Sequence, residues 1–219
     1  MQFALNTYTL KPKQQTDSLV ILLHGYGADG QDMLPIINHW QADLPRTLFI
    51  VPDAPFPCEV NPSGKQWFSL QPFNLETITQ QANQHKGYMA QFIEDALSQA
   101  PDGAHVPSSR LILAGFSQGG MFALHVGLTL SQPVGGIIGY SCALANLEAE
   151  EIRNKPPVLL VHGEQDDVVP YHLMQQSAGR LKENGIETTT LSRANLAHSI
   201  DQQGLTAGRK FIQQCLHTS

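Results

Sequence analysis

The chain has 219 residues, 42% of them hydrophobic and 15% charged, with 18 Gly and 14 Pro spread along it. A chain this long buries about 70% of the surface it exposes when unfolded, so residues 1–219 read as one domain with a substantial core, and disorder is excluded. Nineteen acidic against 13 basic residues leave a formal charge of −6, with no basic run to draw the protein onto nucleic acid or anionic lipid.

The first residues, Met1-Gln2-Phe3-Ala4-Leu5-Asn6, lack the basic start and apolar core of a signal peptide. The apolar runs are far below the ~20 residues that span a bilayer. A cytoplasmic protein without a stable membrane anchor is expected. Phe3 to Leu10 reads as an antiparallel edge strand. Leu19 to Leu23, Leu48 to Val51, Leu111 to Ala114, Gly136 to Gly139 and Val158 to Val161 read as strands buried on both faces, each too short for a helix and bounded by Gly, Pro or polar residues. Thr188 to Leu191 is a further strand-like run. Between them, Ile78, Ala82, Met89, Phe92, Ile93, Ala96 and Leu97 fall on one helical stripe that Pro101-Asp102-Gly103 ends. Met121 to Leu130, Tyr171 to Leu181 and Gly204 to Leu216 also read as helices. Strand alternating with helix predicts an α/β fold, a mostly parallel twisted sheet with helices on both faces. Cys58, Cys142 and Cys215 have no CxxC spacing, which argues against a zinc or disulfide framework and for buried reduced thiols.

Residues 52 to 75 break the rhythm, with five prolines beside Phe56, Trp67, Phe68 and Phe73. A loop of this length inside a compact domain is usually functional.

The chemistry gathers around Gly115-Phe116-Ser117-Gln118-Gly119, a G-x-S-x-G that follows a strand and opens a helix. A tight strand-to-helix turn strains the serine backbone, and glycines two positions either side let the chain close. Ser117 is the candidate nucleophile. A serine hydroxyl needs a base held by a third group, and in this topology they follow in the order Ser, acid, His. The strand Val158 to Val161 runs into His162-Gly163-Glu164-Gln165-Asp166-Asp167, which offers two acids. Asp166 is one step nearer the strand end; Asp167 lies nearer the entrance of the next helix, where a carboxylate favours the dipole and can accept loop amides. Beyond that loop His198 alone also follows a strand, since His172 lies in a helix and His217 at the tail. One oxyanion donor is the amide of Gln118 at the helix start; the amide of Tyr26, in His24-Gly25-Tyr26-Gly27 after the first buried strand, is the second. His24 is expected to brace that turn. An apolar acyl groove is expected from Trp67, Phe68 and Phe73, with Met33 and Leu144 as further candidates. A metal centre from His162, Asp166, Asp167 and His172 has poor ligand spacing, and an inert hydrolase-fold binding module would usually lack the nucleophile or the histidine.

The blocks Leu23-His24-Gly25-Tyr26-Gly27-Ala28-Asp29-Gly30, Gln66-Trp67-Phe68, Gly115-Phe116-Ser117-Gln118-Gly119-Gly120, His162-Gly163 through Val169-Pro170, and Ala197-His198 resemble, over nearly the whole chain, the phospholipase/carboxylesterase family of α/β-hydrolases, which includes the acyl-protein thioesterases. The resemblance implies a lid-less serine hydrolase acting on carboxylic esters, thioesters (acylated proteins among them) or lysophospholipids. No cofactor is expected, since no G-x-G-x-x-G follows a strand, and a monomer or a homodimer is expected. It places Ser117, Asp166 and His198 in the triad, and Tyr26 and Gln118 at the oxyanion positions. Three positions depart from the pattern. Ser69 stands where an Asp follows Trp-Phe, Ala143 where the eukaryotic thioesterases carry a Trp, and Tyr26 where they have a Leu.

Overall fold

The computed structural model describes residues 5–98, 100 and 102–217. Seven strands form one sheet in the order β1-β3-β2-β6-β7-β8-β9. They are β1 (Thr7–Leu10), β2 (Ser18–Leu23), β3 (Thr47–Pro52), β6 (Leu111–Phe116), β7 (Gly136–Tyr140), β8 (Val158–Gly163) and β9 (Thr188–Arg193). Only β1 runs antiparallel, against β3; all other neighbours are parallel. The expected edge strand is thus present from Thr7, while Phe3 and Ala4, like Pro101, lie outside the described residues.

Side chains alternate between the two faces of a strand, and each face has its own core. Leu19, Ile21, Leu113, Ile137 and Leu160 face α2 (Leu75–Ser98), α3 (Gln118–Thr129) and α4 (Tyr171–Glu183). Val20, Leu22, Ile112, Ile138 and Leu159 face α1 (Leu34–Gln41) and α5 (Gln202–His217). Burial on both faces is why these strands read as unbroken apolar runs. α2 begins at Leu75, three residues ahead of its apolar stripe, because the Asn74 carboxamide accepts the Thr77 N–H at 2.8 Å and caps the first turn. α3 likewise opens at Gln118, directly from the serine turn.

The 52–75 segment is not a plain loop. Phe56–Pro57 (β4) and Lys65–Gln66 (β5) form a small antiparallel hairpin that the sequence pattern does not announce. It lies on the turn after β2: Gly27 N–H donates to Lys65 O at 2.9 Å and Lys65 N–H to Ala28 O at 2.8 Å. A side chain at Gly64 would collide with the Gly27 carbonyl, so this close approach needs a glycine.

One buried group ties the fold to pH. His125 on α3 is fully buried; its Nε2 lies 3.2 Å from Asn83 Oδ1, which makes Nε2 the donor, and among the described residues Nδ1 has no partner. Burial pushes its pKa down to about 4, the Lys86 charge adding to the effect and Glu151 opposing it. The unfolded chain therefore binds more protons than the fold between about pH 6.5 and 4, so this contribution to stability is complete above that window and is lost as pH falls through it. Denaturant titrations of the wild type should lose about 1 to 3 kcal/mol more between pH 7 and 4 than those of His125→Gln, whose amide can still donate to Asn83 but does not titrate.

Candidate active site

The site sits where the sheet changes direction: β2 has β3 on one side and β6 on the other, and the loops leaving β2 and β6 flank a crevice at their carboxyl ends. Ser117, between β6 and α3, has φ 53° and ψ −120°, a conformation that L-residues rarely adopt. Glycine lets the turn close on every side. A Cβ at Gly115 would strike the Gly119 backbone, one at Gly119 the carbonyls of Leu23 and His24, and one at Gly120 would lie 2.9 Å from the Cys142 side chain. The serine backbone is locked as well, its N–H donating to Tyr140 O at 2.9 Å.

His198 reaches the site from beyond β9 by folding back over the end of β8. Gln165 N–H donates to Leu196 O at 3.0 Å, and Gly163 is the seat on which the Leu196 and Ala197 carbonyls rest, since any Cβ there would overlap them. The imidazole packs at a tilt of 44° against Phe116, the residue before the serine, at 4.7 Å between ring centroids. Its Nδ1 lies 2.8 and 3.0 Å from the two oxygens of Asp166, so Nδ1 carries the proton and Nε2 is left bare. Among the described residues no hydrogen bond joins Ser117 Oγ to His198; catalytic hydrogen bonds are often long without substrate and tighten when it binds.

Asp166 is buried and fully satisfied. Besides His198, it accepts the amides of Val168 at 3.0 Å and Val169 at 2.9 Å, and His162 Nε2 stands 3.2 Å away. Burial alone would raise its pKa, but the hydrogen bond and charge of His198 and the two amides outweigh burial and hold the carboxyl below its ordinary value. The loop amides expected at Asp167 thus go to Asp166, while Asp167 is exposed. His162, which the sequence reading singled out only as a poor metal ligand, is fully buried and donates from Nε2 to Val169 O at 2.7 Å, which holds the acid loop closed. Burial lowers its pKa, against the Val169 carbonyl and Asp166, which raise it.

The turn after β2 is braced as anticipated. Ala54 N–H donates to His24 Nε2 at 2.9 Å, so the ring proton is on Nδ1, which donates to Gly25 O at 2.8 Å. Gly25 is pressed against the nucleophile, with room for a Cβ only 3.1 Å from Phe116 and 3.4 Å from Ser117 Cβ. The next amide is that of Tyr26.

The aromatic loop requires a correction. Trp67 and Phe68 are 0% and 1% exposed and offer no surface to a groove. They pack on Phe122 of α3, and the Trp67 indole donates to His24 O at 2.9 Å. Aromatic content alone does not say which way a ring points, and here the rings seat the loop in the core. Met33 is buried in the α1/α5 layer. Phe73 is 48% exposed on the surface. Leu144 adjoins a cavity: it lines a cleft of about 140 Å³ with Leu75, Ala143, Leu173 and four polar residues. The Gln118 side chain was missed. Its fully buried carboxamide accepts Trp67 N–H at 3.0 Å and donates to Phe68 O at 2.7 Å, clipping the aromatic loop to the serine turn. A polar residue with no room to reach water, directly after the nucleophile, was the available signal.

Among the described residues no group of three or more His, Cys, Asp or Glu side chains is placed to hold a metal ion, and no helix is long and apolar enough to cross a membrane.

A serine at a strained strand-to-helix turn with an Asp-held imidazole beside it, on this sheet, defines an α/β-hydrolase. The phospholipase/carboxylesterase family model matches residues 6–216, and the chain belongs to that family. It is 30% identical to acyl-protein thioesterase 1 of Emericella nidulans over 90% of both chains. The crystal structure of esterase PE8 superposes with a TM-score of 0.90 at 34% identity, covering 97% of this chain and 99% of that one. Acyl-protein thioesterase 2 of Zea mays shares the fold, with a TM-score of 0.76 at 24% identity over 96% and 99% of the two chains.

Replacing Gln118 by Met strands the Trp67 N–H and the Phe68 carbonyl in the core. Equilibrium unfolding should register a loss of about 2 to 4 kcal/mol, the cost of two buried polar groups without partners.

Proposed function

We propose that this chain is a single-domain serine hydrolase that cleaves carboxylic esters or thioesters with an apolar acyl chain, through an acyl-enzyme on Ser117. The observation that carries the reading is the Asp166–His198 pair at 2.8 Å, packed beside the strained serine turn. Esterase PE8 and the Emericella nidulans thioesterase, similar over nearly their whole lengths, support the reaction class.

In the first half, Nε2 of His198 takes the Ser117 proton as Oγ attacks the acyl carbonyl. Asp166 holds the ring in the required tautomer and balances the imidazolium. The amides of Gln118 and Tyr26 receive the oxyanion, the former at a helix N-terminus whose dipole favours negative charge. The carbonyl–leaving-group bond then breaks, and His198 returns the proton to the departing alkoxide or thiolate. In the second half, His198 deprotonates water, which attacks the acyl-serine, and Ser117 leaves with that proton.

The acyl chain is assigned to the cleft of Leu75, Ala143, Leu144 and Leu173, because the chain that leaves β7 beside the serine runs directly into its wall, and each buried CH₂ is worth ~0.8 kcal/mol. Ala143 helps to keep that cleft open. The substrates are esters or thioesters as small molecules, acylated proteins or lysophospholipids. A cytoplasmic location is supported by Cys58, Cys142 and Cys215, all buried as thiols.

Ser117→Ala and Asp166→Asn should each lower kcat on an aryl ester by on the order of 10⁴ with the fold retained by circular dichroism, Asp166→Asn through the wrong imidazole tautomer. Asp167→Asn should keep most of its turnover and lose about 1 kcal/mol of stability or less. Wild-type turnover in Ser117→Ala would refute the mechanism; a large loss at Asp167 with a normal Asp166→Asn would reassign the acid.

A further inference from the structure

Two of the three positions at which this chain departs from the family pattern meet in space, on a residue outside that pattern. The Tyr26 phenol donates to Glu59 Oε2 at 2.8 Å. Ser69 and Gln66 lie beside the same carboxylate, and Glu59 N–H donates to Gln66 Oε1 at 2.9 Å. The neighbouring Ser69 hydroxyl is the main reason why the carboxyl stays below its ordinary pKa; burial, the next largest influence, opposes it, and Tyr26 and Gln66 add to the lowering. Glu59 is nonetheless exposed, and among the described residues no Lys, Arg or His pairs with it. A carboxylate held by the Tyr26 phenol, open to solvent and without a counterion among the described residues, is a fixed negative charge facing outward.

Its place relative to the chemistry is set by the backbone. The hairpin β4–β5 that carries Glu59 between its strands is pinned to the turn after β2 by the Gly27 and Lys65 amides and by Asn61 Nδ2, which donates to Gly27 O at 2.9 Å. That turn presses Gly25 against Ser117. The carboxylate is therefore one tyrosine side chain away from the amide assigned to the oxyanion. It stands on the β2 side of the serine, whereas the cleft of Leu144 stands on the β7 side. With the acyl chain in the cleft, the leaving group departs on the side of Glu59.

We propose that Glu59, held by Tyr26, selects the leaving group by charge: it favours esters and thioesters whose alcohol or thiol half carries an ammonium or guanidinium group and disfavours those with an anionic one. This rests on the hydrolase reading above and names the substrate class within it. No covalent step is added. The carboxylate acts on the charge of the bound substrate, by an amount Coulomb's law puts at about five- to tenfold in relative rate for a unit charge about 7 Å away in a medium between protein surface and bulk water.

The test holds the acyl group constant. Butyrylthiocholine, S-butyryl-2-mercaptoethanol and S-butyryl-mercaptoacetate present cationic, neutral and anionic leaving groups, and the released thiol is read by a disulfide reagent. Glu59→Gln keeps an oxygen for the Tyr26 hydroxyl but removes the charge; at low salt its cationic-to-anionic ratio of kcat/KM, which spans two unit charges, should fall about 25- to 100-fold below that of the wild type. Glu59→Lys should push the ratio further down, and about 0.5 M salt should shrink the wild-type preference, since exposed charges are screened. Comparing ratios between variants cancels the intrinsic reactivities of the three thioesters. A ratio that stays within about twofold in both variants overturns the proposal, as does an equal fall on all three substrates, the mark of a residue that only braces the turn. Wild-type protein that turns over none of the three and no aryl ester would sink the hydrolase reading together with this one, whereas turnover with a ratio blind to residue 59 sinks this one alone.

Discussion

The strained backbone of Ser117 is the constraint around which the site is arranged. A non-glycine residue at φ 53° and ψ −120° costs of order 1–3 kcal/mol and persists only where its surroundings leave no alternative. Here β6 fixes the residues before it, α3 those after it, and Gly119 brings the first turn of α3 into contact with the last carbonyls of β2. Those carbonyls begin the turn that carries the Tyr26 amide, which we propose as the second oxyanion donor. The closeness of Ser117 to this turn is therefore a packing distance between a helix and a strand end, and not the product of a flexible loop finding its place.

From the same turn a chain of buried hydrogen bonds runs outward. Gln118 grips Trp67 and Phe68, Trp67 grips the His24 carbonyl, and His24 accepts the Ala54 amide. Each link satisfies a backbone group that would otherwise be buried alone, and such networks rigidify what they connect when every member is paired. Burial pushes the pKa of His24 down, as it must for a ring whose Nε2 has to stay bare to accept Ala54. On the acid side, His162 plays a comparable part, closing on the Val169 carbonyl beneath the Asp166 carboxylate.

Much of this architecture could be read from residues alone, for identifiable reasons. The parallel strands were legible because both faces are buried and the apolar runs are unbroken; the serine turn because only glycines tolerate its contacts; and the pairing of His198 with Asp166 because chain order and the strand ends narrow the choice. The five groove candidates were less legible. Trp67 and Phe68 have the composition of a binding surface and the environment of a core, and only tertiary packing on Phe122 separates the two. The hairpin β4–β5 went unread because each strand has two residues and is held by backbone bonds to a turn, not by a side-chain pattern. The Tyr26–Glu59 contact joins positions 33 apart in sequence, and no local period marks such a pair.

The grip of Gln118 on the aromatic loop has a further consequence. Its carboxamide reads the main chain of residues 67 and 68: an N–H and a carbonyl that every residue pair can supply as long as neither is proline in the wrong place. The anchoring is thus indifferent to the identity of most neighbouring side chains. Phe73, just beyond the clip and exposed, takes no part in it. Inheritance of the scaffold and divergence of its preferences are in this way written in separate parts of the same polypeptide, the first in backbone geometry and the second in the groups that hang from it.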